Sequence, residues 1–169
     1  MMPTATGTPH ILSSGIVDVR FGENVRIVQP VNLYGCTIGD DCFIGPFVEI
    51  QRDVVIGKRC RIQSHAFVCA LVTMGDDCFV SHGAMFINDP FTIGGRARGR
   101  RELWRPTRLG HHVSVGTNAT VLPVSIADHV VIGAGAVVTK DLKDPGIYAG
   151  NPARLLRRID PANGGVAAQ

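Results

Sequence analysis

Residues 38–68 read IGDDCF IGPFVE IQRDVV IGKRCR IQSHAF V, and an aliphatic side chain opens every block of six. The series Ile38, Ile44, Ile50, Ile56, Ile62 and Val68 continues with Met74, Val80 and Phe86. A strand alternates every two residues and a helix repeats about every 3.6, so a sustained period of six suits neither hairpins nor helices. It suits a parallel β-helix, in which each hexad is a short strand plus a corner.

Working outward, Phe21, Ile27 and Leu33 precede the series, and Leu109, Val115, Val121, Ile126, Ile132 and Val138 follow it. Every one of these phase positions is apolar, whereas a composition of 45% hydrophobic residues would fill about half of them by chance. A longer period overlies the short one. Glycine follows the phase residue at Gly22, Gly39, Gly57, Gly75 and Gly110, with Ala127 in the sixth place, and Cys42, Cys60 and Cys78 recur every 18 residues. Three hexads therefore make one coil, and coils stack about 4.8 Å apart as strands do. The expected coils are six: 21–37, 38–55, 56–73, 74–108, 109–125 and 126–143. Two short hexads and one excursion over 90–108 all leave from the corner after the third strand. A lead-in (1–20), a C-terminal segment with a short helix (144–160) and a flexible tail (161–169) complete the layout.

Composition narrows the function. Net charge is only +3, and the basic residues cluster: Arg96, Arg98, Arg100, Arg101, Arg105 and Arg108 in the excursion, Arg154, Arg157 and Arg158 near the end. Nucleic-acid binding needs a broader basic stripe with stacking aromatics, so phosphates of small ligands are the better partner. No apolar run of membrane-spanning length is present. Residues 1–10 lack the basic start and apolar core of a secretory signal, so a cytoplasmic protein is expected. The coil-spaced cysteines sit where valine stands in other coils (Val25, Val113, Val130), which makes them small core residues rather than metal ligands. Outward positions on the third strand are apolar (Tyr34, Phe67, Cys69, Met85, Ile87, Leu122, Val137), with Phe43 and Phe79 on the second. Such a stripe predicts a homo-oligomer.

Three segments carry a family resemblance. They are Val31-Asn32-Leu33-Tyr34-Gly35-Cys36 with Phe47-Val48-Glu49-Ile50-Gln51; His82-Gly83-Ala84-Met85-Phe86-Ile87-Asn88-Asp89; and Gly133-Ala134-Gly135-Ala136-Val137-Val138-Thr139-Lys140-Asp141 with Ala149-Gly150-Asn151-Pro152-Ala153-Arg154. Together they resemble the hexapeptide-repeat acyltransferases, in particular the acetyl-CoA-dependent N-acetyltransferases of nucleotide-linked 3-amino sugars in glycan biosynthesis. The resemblance, and not the periodicity, implies the left-handed, triangular winding, the homotrimer, acetyl-CoA as cosubstrate without a metal, and a UDP- or dTDP-linked sugar as acceptor. It also implies that Asn88 meets the sugar amine and that acetyl-CoA lies between subunits. Two places depart from the pattern: Asp89-Pro90-Phe91 replaces a common Tyr-Pro-Arg, and Leu122-Pro123-Val124 lacks the glycine usual after proline.

The chemistry would be attack of a neutral amine on a thioester through a tetrahedral oxyanion. Asn88 at a corner is the candidate acceptor for the amine's N–H; the alternative is a turn residue tolerating left-handed backbone. His82 and His65, at nearly the same corner of successive coils, are candidate bases, against direct attack with the proton passing to the leaving thiolate. Glu49 and Gln51 are candidates for sugar hydroxyls or for bonds along the stack. Asp89, Arg98 and Trp104 are candidates for the rest of the nucleotide sugar, with the excursion clamping its diphosphate and stacking its base. Small outward residues Gly116, Gly133 and Ala134 would admit pantetheine, and Lys140, Arg154 and Arg157 would meet the CoA phosphates. Three other readings use the same coil: a sugar O-acetyltransferase, a γ-class carbonic anhydrase with three zinc-bound histidines, and a non-catalytic scaffold.

Overall fold

The computed structural model describes residues 13–163. Its strands, mostly two or three residues long, lie on three faces, each face one sheet running the length of the molecule. The first face runs from Arg20–Phe21 to Ser125–Ile126, the second from Arg26–Ile27 to Gly146–Ala149, and the third from Ile16–Val17 to Val137–Val138. Pairing is parallel at the register of the hexads, with Ile38 beside Ile56, Ile44 beside Ile62 and Ile50 beside Val68. The chain is an all-β, left-handed parallel β-helix.

The phase residues fill its axis. Leu33, Ile38, Ile44, Ile50, Ile56, Ile62 and Val68 are sealed from solvent, and burying each such side chain contributes about 1.5–3 kcal/mol. Cys42, Cys60 and Cys78 join the core, their thiols donating to the carbonyls of Gly57, Gly75 and Gly110 at 3.1, 3.2 and 3.2 Å. Cys69, expected on the outside, is buried as well, and burial pushes its thiol up to about 12. The glycine after each phase residue answers to the next coil: a Cβ on Gly39 would lie 2.7 Å from the carbonyl of Gly57.

Corners and strands bond in opposite directions. Strand N–H groups reach the following coil, as Gly39 does to the Ile56 carbonyl at 2.9 Å. Corner residues adopt positive φ and turn their N–H back to the preceding coil, as Arg59 (φ 56) does to the Asp40 carbonyl at 2.8 Å. Asn24, Asp41, Arg59, Asp77, His112 and His129 hold this conformation at the first corner, and Phe47, His65 and Asn118 hold it at the second. Each coil is thus tied to both neighbours at every corner that adopts this turn.

Two boundaries differ from expectation. The third face begins at Ile16, paired with Leu33, so seven strands line it and the helix takes about seven turns, not six. No helix forms over 144–160. Gly146–Ala149 adds to the second face, and Arg154–Arg158 returns antiparallel beside it. The physical reason is that an edge strand offers unpaired N–H and C=O groups, whereas an isolated helical turn or two is marginal. A single 3₁₀ turn at Pro161–Asn163 follows. The first part of the lead-in and most of the expected tail lie outside the described residues. No described helix is long and apolar enough to cross a membrane.

Candidate functional site

Register fixes which side chains share a corner. Two residues past the phase position on the third face come Gly35, Arg52, Ala70, Asn88, Pro123 and Lys140, one per coil. The excursion leaves at Asn88 and returns at Arg105, whose N–H donates to the Asn88 carbonyl at 2.8 Å. Between them lies a cleft of about 560 Å³ lined by Asn88, Asp89, Arg96, Arg98, Gly99 and Trp104.

The side chain of Asn88 is oriented by its partner. Its Nδ2 donates to the Ala70 carbonyl at 3.2 Å. A carbonyl accepts and never donates, so the NH₂ end must face Ala70 and the amide oxygen is the group left for the cleft. Asp89 is committed differently: its two oxygens accept from the N–H groups of Phe91 at 2.9 Å and Ala97 at 2.6 Å. It therefore shapes the base of the excursion, with Ala97 buried beneath. Arg101 reaches Asp53, one corner residue of an earlier coil, and its guanidinium also lies 5.6 Å from the centre of the Trp104 ring. That clasp folds the excursion over the corner and holds Trp104 half-buried at the cleft wall. Arg98 is exposed there at φ 52.

Glu49 and Gln51 bond along the stack. Gln51 Nε2 donates to Glu49 Oε1 at 3.0 Å, and Gln51 Oε1 accepts from the Ala70 N–H at 3.2 Å. The Tyr34 hydroxyl donates to the same Glu49 oxygen at 3.4 Å, and burial followed by the Glu49 charge raises the Tyr34 hydroxyl above its ordinary value.

The histidines stand at the opposite edge of the third face, at the corner before it. They are not equivalent. His65 occupies the positive-φ position shared with Phe47, Gly83 and Asn118, and its ring stacks on Phe47 at 4.8 Å. His82 comes one residue earlier in its coil, beside Gly83, and is exposed. Its Nδ1 lies 3.5 Å from Ser81 Oγ, which in turn bonds Thr117 Oγ1 at 2.8 Å. Within one chain neither imidazole shares a corner with Asn88. His112 and His129 stack on each other at a third corner, at 4.7 Å, and among the described residues no three His, Cys, Asp or Glu side chains group as a metal would require.

Of the proposed cofactor residues, Gly116, Gly133 and Ala134 do come together in successive coils, at the corner after the second face. Gly116, however, is a stacking residue: a Cβ there would lie 2.6 Å from the Ala134 nitrogen and 2.7 Å from the Gly133 carbonyl carbon. Gly133 faces Ala149, and Ala134 alone of the three is exposed. Arg154 opens the return strand next to Ala149, while Arg157 lies opposite Ile147 and is exposed. Lys140 belongs to the other corner, two coils beyond Asn88 and so about 10 Å along the stack. Sequence reasoning missed Tyr34, Ala70, Asp53 and Arg101. The 18-residue separation of Asn88 from Ala70, one coil, was the available signal for that pair; nothing local marks the Arg101 clasp.

Two family models match the chain: bacterial transferase hexapeptide (six repeats) over residues 35–70, and hexapeptide repeat of succinyl-transferase over residues 106–140. Among curated relatives, the bifunctional protein GlmU of Heliobacterium modesticaldum is 32% identical over 146 residues, 75% of this chain and 29% of that protein. GlmU of Acaryochloris marina is 30% identical over 137 residues, 80% of this chain and 28% of that protein. The chain thus spans under a third of these relatives. Among solved structures, a variant of AntD, an N-acyltransferase from Bacillus cereus in complex with dTDP and coenzyme A, superposes with a TM-score of 0.76 at 23% identity, covering 88% of each chain. A hexapeptide-repeat acetyltransferase from Vibrio cholerae complexed with acetyl coenzyme A gives 0.61 at 22% identity, covering 73% of this chain and 70% of that one. At these identities the structural likeness is one of fold.

Proposed function

From the matches to hexapeptide-repeat transferase models over residues 35–70 and 106–140, we propose that this chain transfers an acetyl group from acetyl-CoA to the amine, at C3, of a UDP- or dTDP-linked amino sugar. The observation that supports the reading is the hydrogen bond from Asn88 Nδ2 to the Ala70 carbonyl, which leaves the amide oxygen free to accept at the head of a cleft lined by arginines and an indole. An amine N–H donates to such an oxygen, which points its lone pair toward a thioester. Arg96 and Arg98 suit a diphosphate, and Trp104 suits a base. That AntD is an N-acyltransferase seen with dTDP and coenzyme A agrees with this assignment of ligands.

In the proposed step, the amine nitrogen bonds to the thioester carbonyl carbon and the tetrahedral oxyanion collapses, breaking the C–S bond. The departing thiolate takes the proton from nitrogen, giving the amide and free CoA. In this reading Asn88 holds the amine during attack, and a backbone N–H at the Gly116–Ala134 corner donates to the oxyanion. Ala134 stands across the third face from Asn88, so in this reading one complete site draws on two copies of the chain. Exposed Met85 on that face, with exposed Phe47 at its edge, supports self-association, and the family resemblance makes the assembly a homotrimer.

The test is thiol release from acetyl-CoA with UDP- and dTDP-linked 3-amino sugars. Asn88→Ala should lower kcat/KM by about 10–100-fold, the loss of one oriented hydrogen bond in the transition state; near-normal turnover removes the assignment. A hydroxyl also donates to the Asn88 oxygen, so the corresponding 3-hydroxy sugars are assayed alongside, and faster thiol release with them would make the enzyme an O-acetyltransferase.

A further inference from the structure

Resting on the reading of Asn88 above, we infer that Gln51 is a positioning residue for that asparagine, acting through the corner at Ala70. Asn88 and Gln51 do not touch each other. They hold the same residue from two sides: Gln51 Oε1 accepts the Ala70 N–H at 3.2 Å, and Asn88 Nδ2 donates to the Ala70 carbonyl at 3.2 Å.

Ala70 needs such support. It is buried, and an N–H at a buried corner must find an acceptor. The next residue, Leu71, has φ 73, a conformation that a leucine rarely adopts and that persists where its surroundings hold it. Gln51 supplies the acceptor, and Glu49 fixes which end of Gln51 is the acceptor. Gln51 Nε2 donates to Glu49 Oε1 at 3.0 Å, and the Tyr34 hydroxyl donates to the same oxygen at 3.4 Å. The chain of bonds therefore runs from Tyr34 to the asparagine across four successive coils, each step with one possible direction of donation. Its output is the aim of the Asn88 oxygen.

The experiment uses the full chain and four variants: Gln51→Met, Gln51→Glu, Glu49→Gln and the swap Glu49→Gln/Gln51→Glu. Gln51→Met keeps length and removes both bonds. It should lower kcat with the amino sugar about tenfold, the equivalent of one mispositioned hydrogen bond, while the KM for acetyl-CoA stays within about twofold. Gln51→Glu sets two carboxylates against each other and should lose as much. Glu49→Gln leaves the two amides free to pair in either direction and should lose less than Gln51→Met. In the swap the amide moves to position 49 and the carboxylate to position 51. The amide still donates to the carboxylate, and the carboxylate still accepts the Ala70 N–H, so turnover should return to within about threefold of the parent. A second readout needs no turnover: the Asn88 side-chain NH₂ signal in a ¹⁵N–¹H spectrum, identified by its loss in Asn88→Ala, should shift in Gln51→Met and return in the swap. An unmoved Asn88 signal, or Gln51→Met turnover within about twofold of the parent, overturns the relay. Loss in Asn88→Ala with normal Gln51→Met leaves the functional reading standing and the relay refuted. If no amino sugar accepts acetyl, the functional reading falls and the Asn88 signal decides the relay.

Discussion

Gly116→Ala separates two explanations of one glycine, because they predict opposite signs. If Gly116 is small only to leave room for pantetheine, alanine adds a methyl to an open groove and restricts the unfolded chain, a gain of about 0.4–1 kcal/mol. The structure says otherwise. The new Cβ would sit 2.6 Å from the Ala134 nitrogen and 2.7 Å from both the Gly133 carbonyl carbon and the Ile132 oxygen. All three are backbone atoms, and the Ile132 oxygen is the one that Gly116 N–H already bonds at 2.8 Å. Relief requires two coils to part, and overpacking of that kind costs about 1–3 kcal/mol. For a chain of this size each kcal/mol moves Tm by about 2–4 °C, so Tm should fall by about 2–12 °C. Gly95→Ala is the control, since its Cβ would have nothing within 4 Å and its φ is not in the left-handed region; its Tm should stay level or rise by up to about 4 °C. Thermal melts followed by circular dichroism decide it. A Gly116→Ala protein that melts at or above the parent refutes the stacking argument and returns the glycine to the cofactor groove.

Arg101→Ala should speed proteolytic cutting between residues 90 and 106 while moving global stability by no more than about 1 kcal/mol, because the Asp53 pair is half exposed; an unchanged cutting rate would show that the clasp does not hold the excursion. All five cysteines are free and buried, with burial holding Cys36 at about 11 and Cys69 at about 12. A disulfide reagent at neutral pH should label none of them until denaturant is added, and prompt labelling in the native state would contradict the core assignment. The hydrogen bond from Arg59 holds the Asp77 carboxyl below its usual range, so it stabilises the fold above the unfolded carboxylate pKa of about 3.9 and the contribution is lost as pH falls through the folded value. Asp77→Asn should therefore flatten the acid limb of a Tm-against-pH curve; parallel curves would deny the pair any role. Sedimentation at micromolar concentration should find three times the 18.1 kDa chain, and a lone monomer would remove the shared site.

The winding was legible because its signal is redundant: each phase residue, Ile38 through Val138, repeats the same instruction, and the register follows from counting. Its ends were not, because they depend on what a single edge strand can recruit. The segment 144–160 reads as holding a short helix until the edge at Gly146–Ala149 is seen to recruit Arg154–Arg158. At the site, Asn88 stood out by position before the excursion, whereas the backbone bonds of Asp89 and Gln51 were hidden for one reason. Composition shows that a side chain can bond a ligand, but only coordinates show that backbone N–H groups at Ala97 and Ala70 had taken it first. The two histidines looked alike at nearly one corner. Both are exposed, and a shift of one residue stacks His65 on Phe47 and sets His82 beside Ser81.

The reversal at Arg154–Arg158 has a consequence beyond closing a sheet. A stack of parallel coils carries no internal reason to stop, and another copy arriving end-on would find a matching template. Here it would find a strand running the wrong way, studded with exposed Arg154, Arg157 and Arg158. End-to-end growth into fibres is thereby opposed along the second face at this pole, which favours copies meeting side by side.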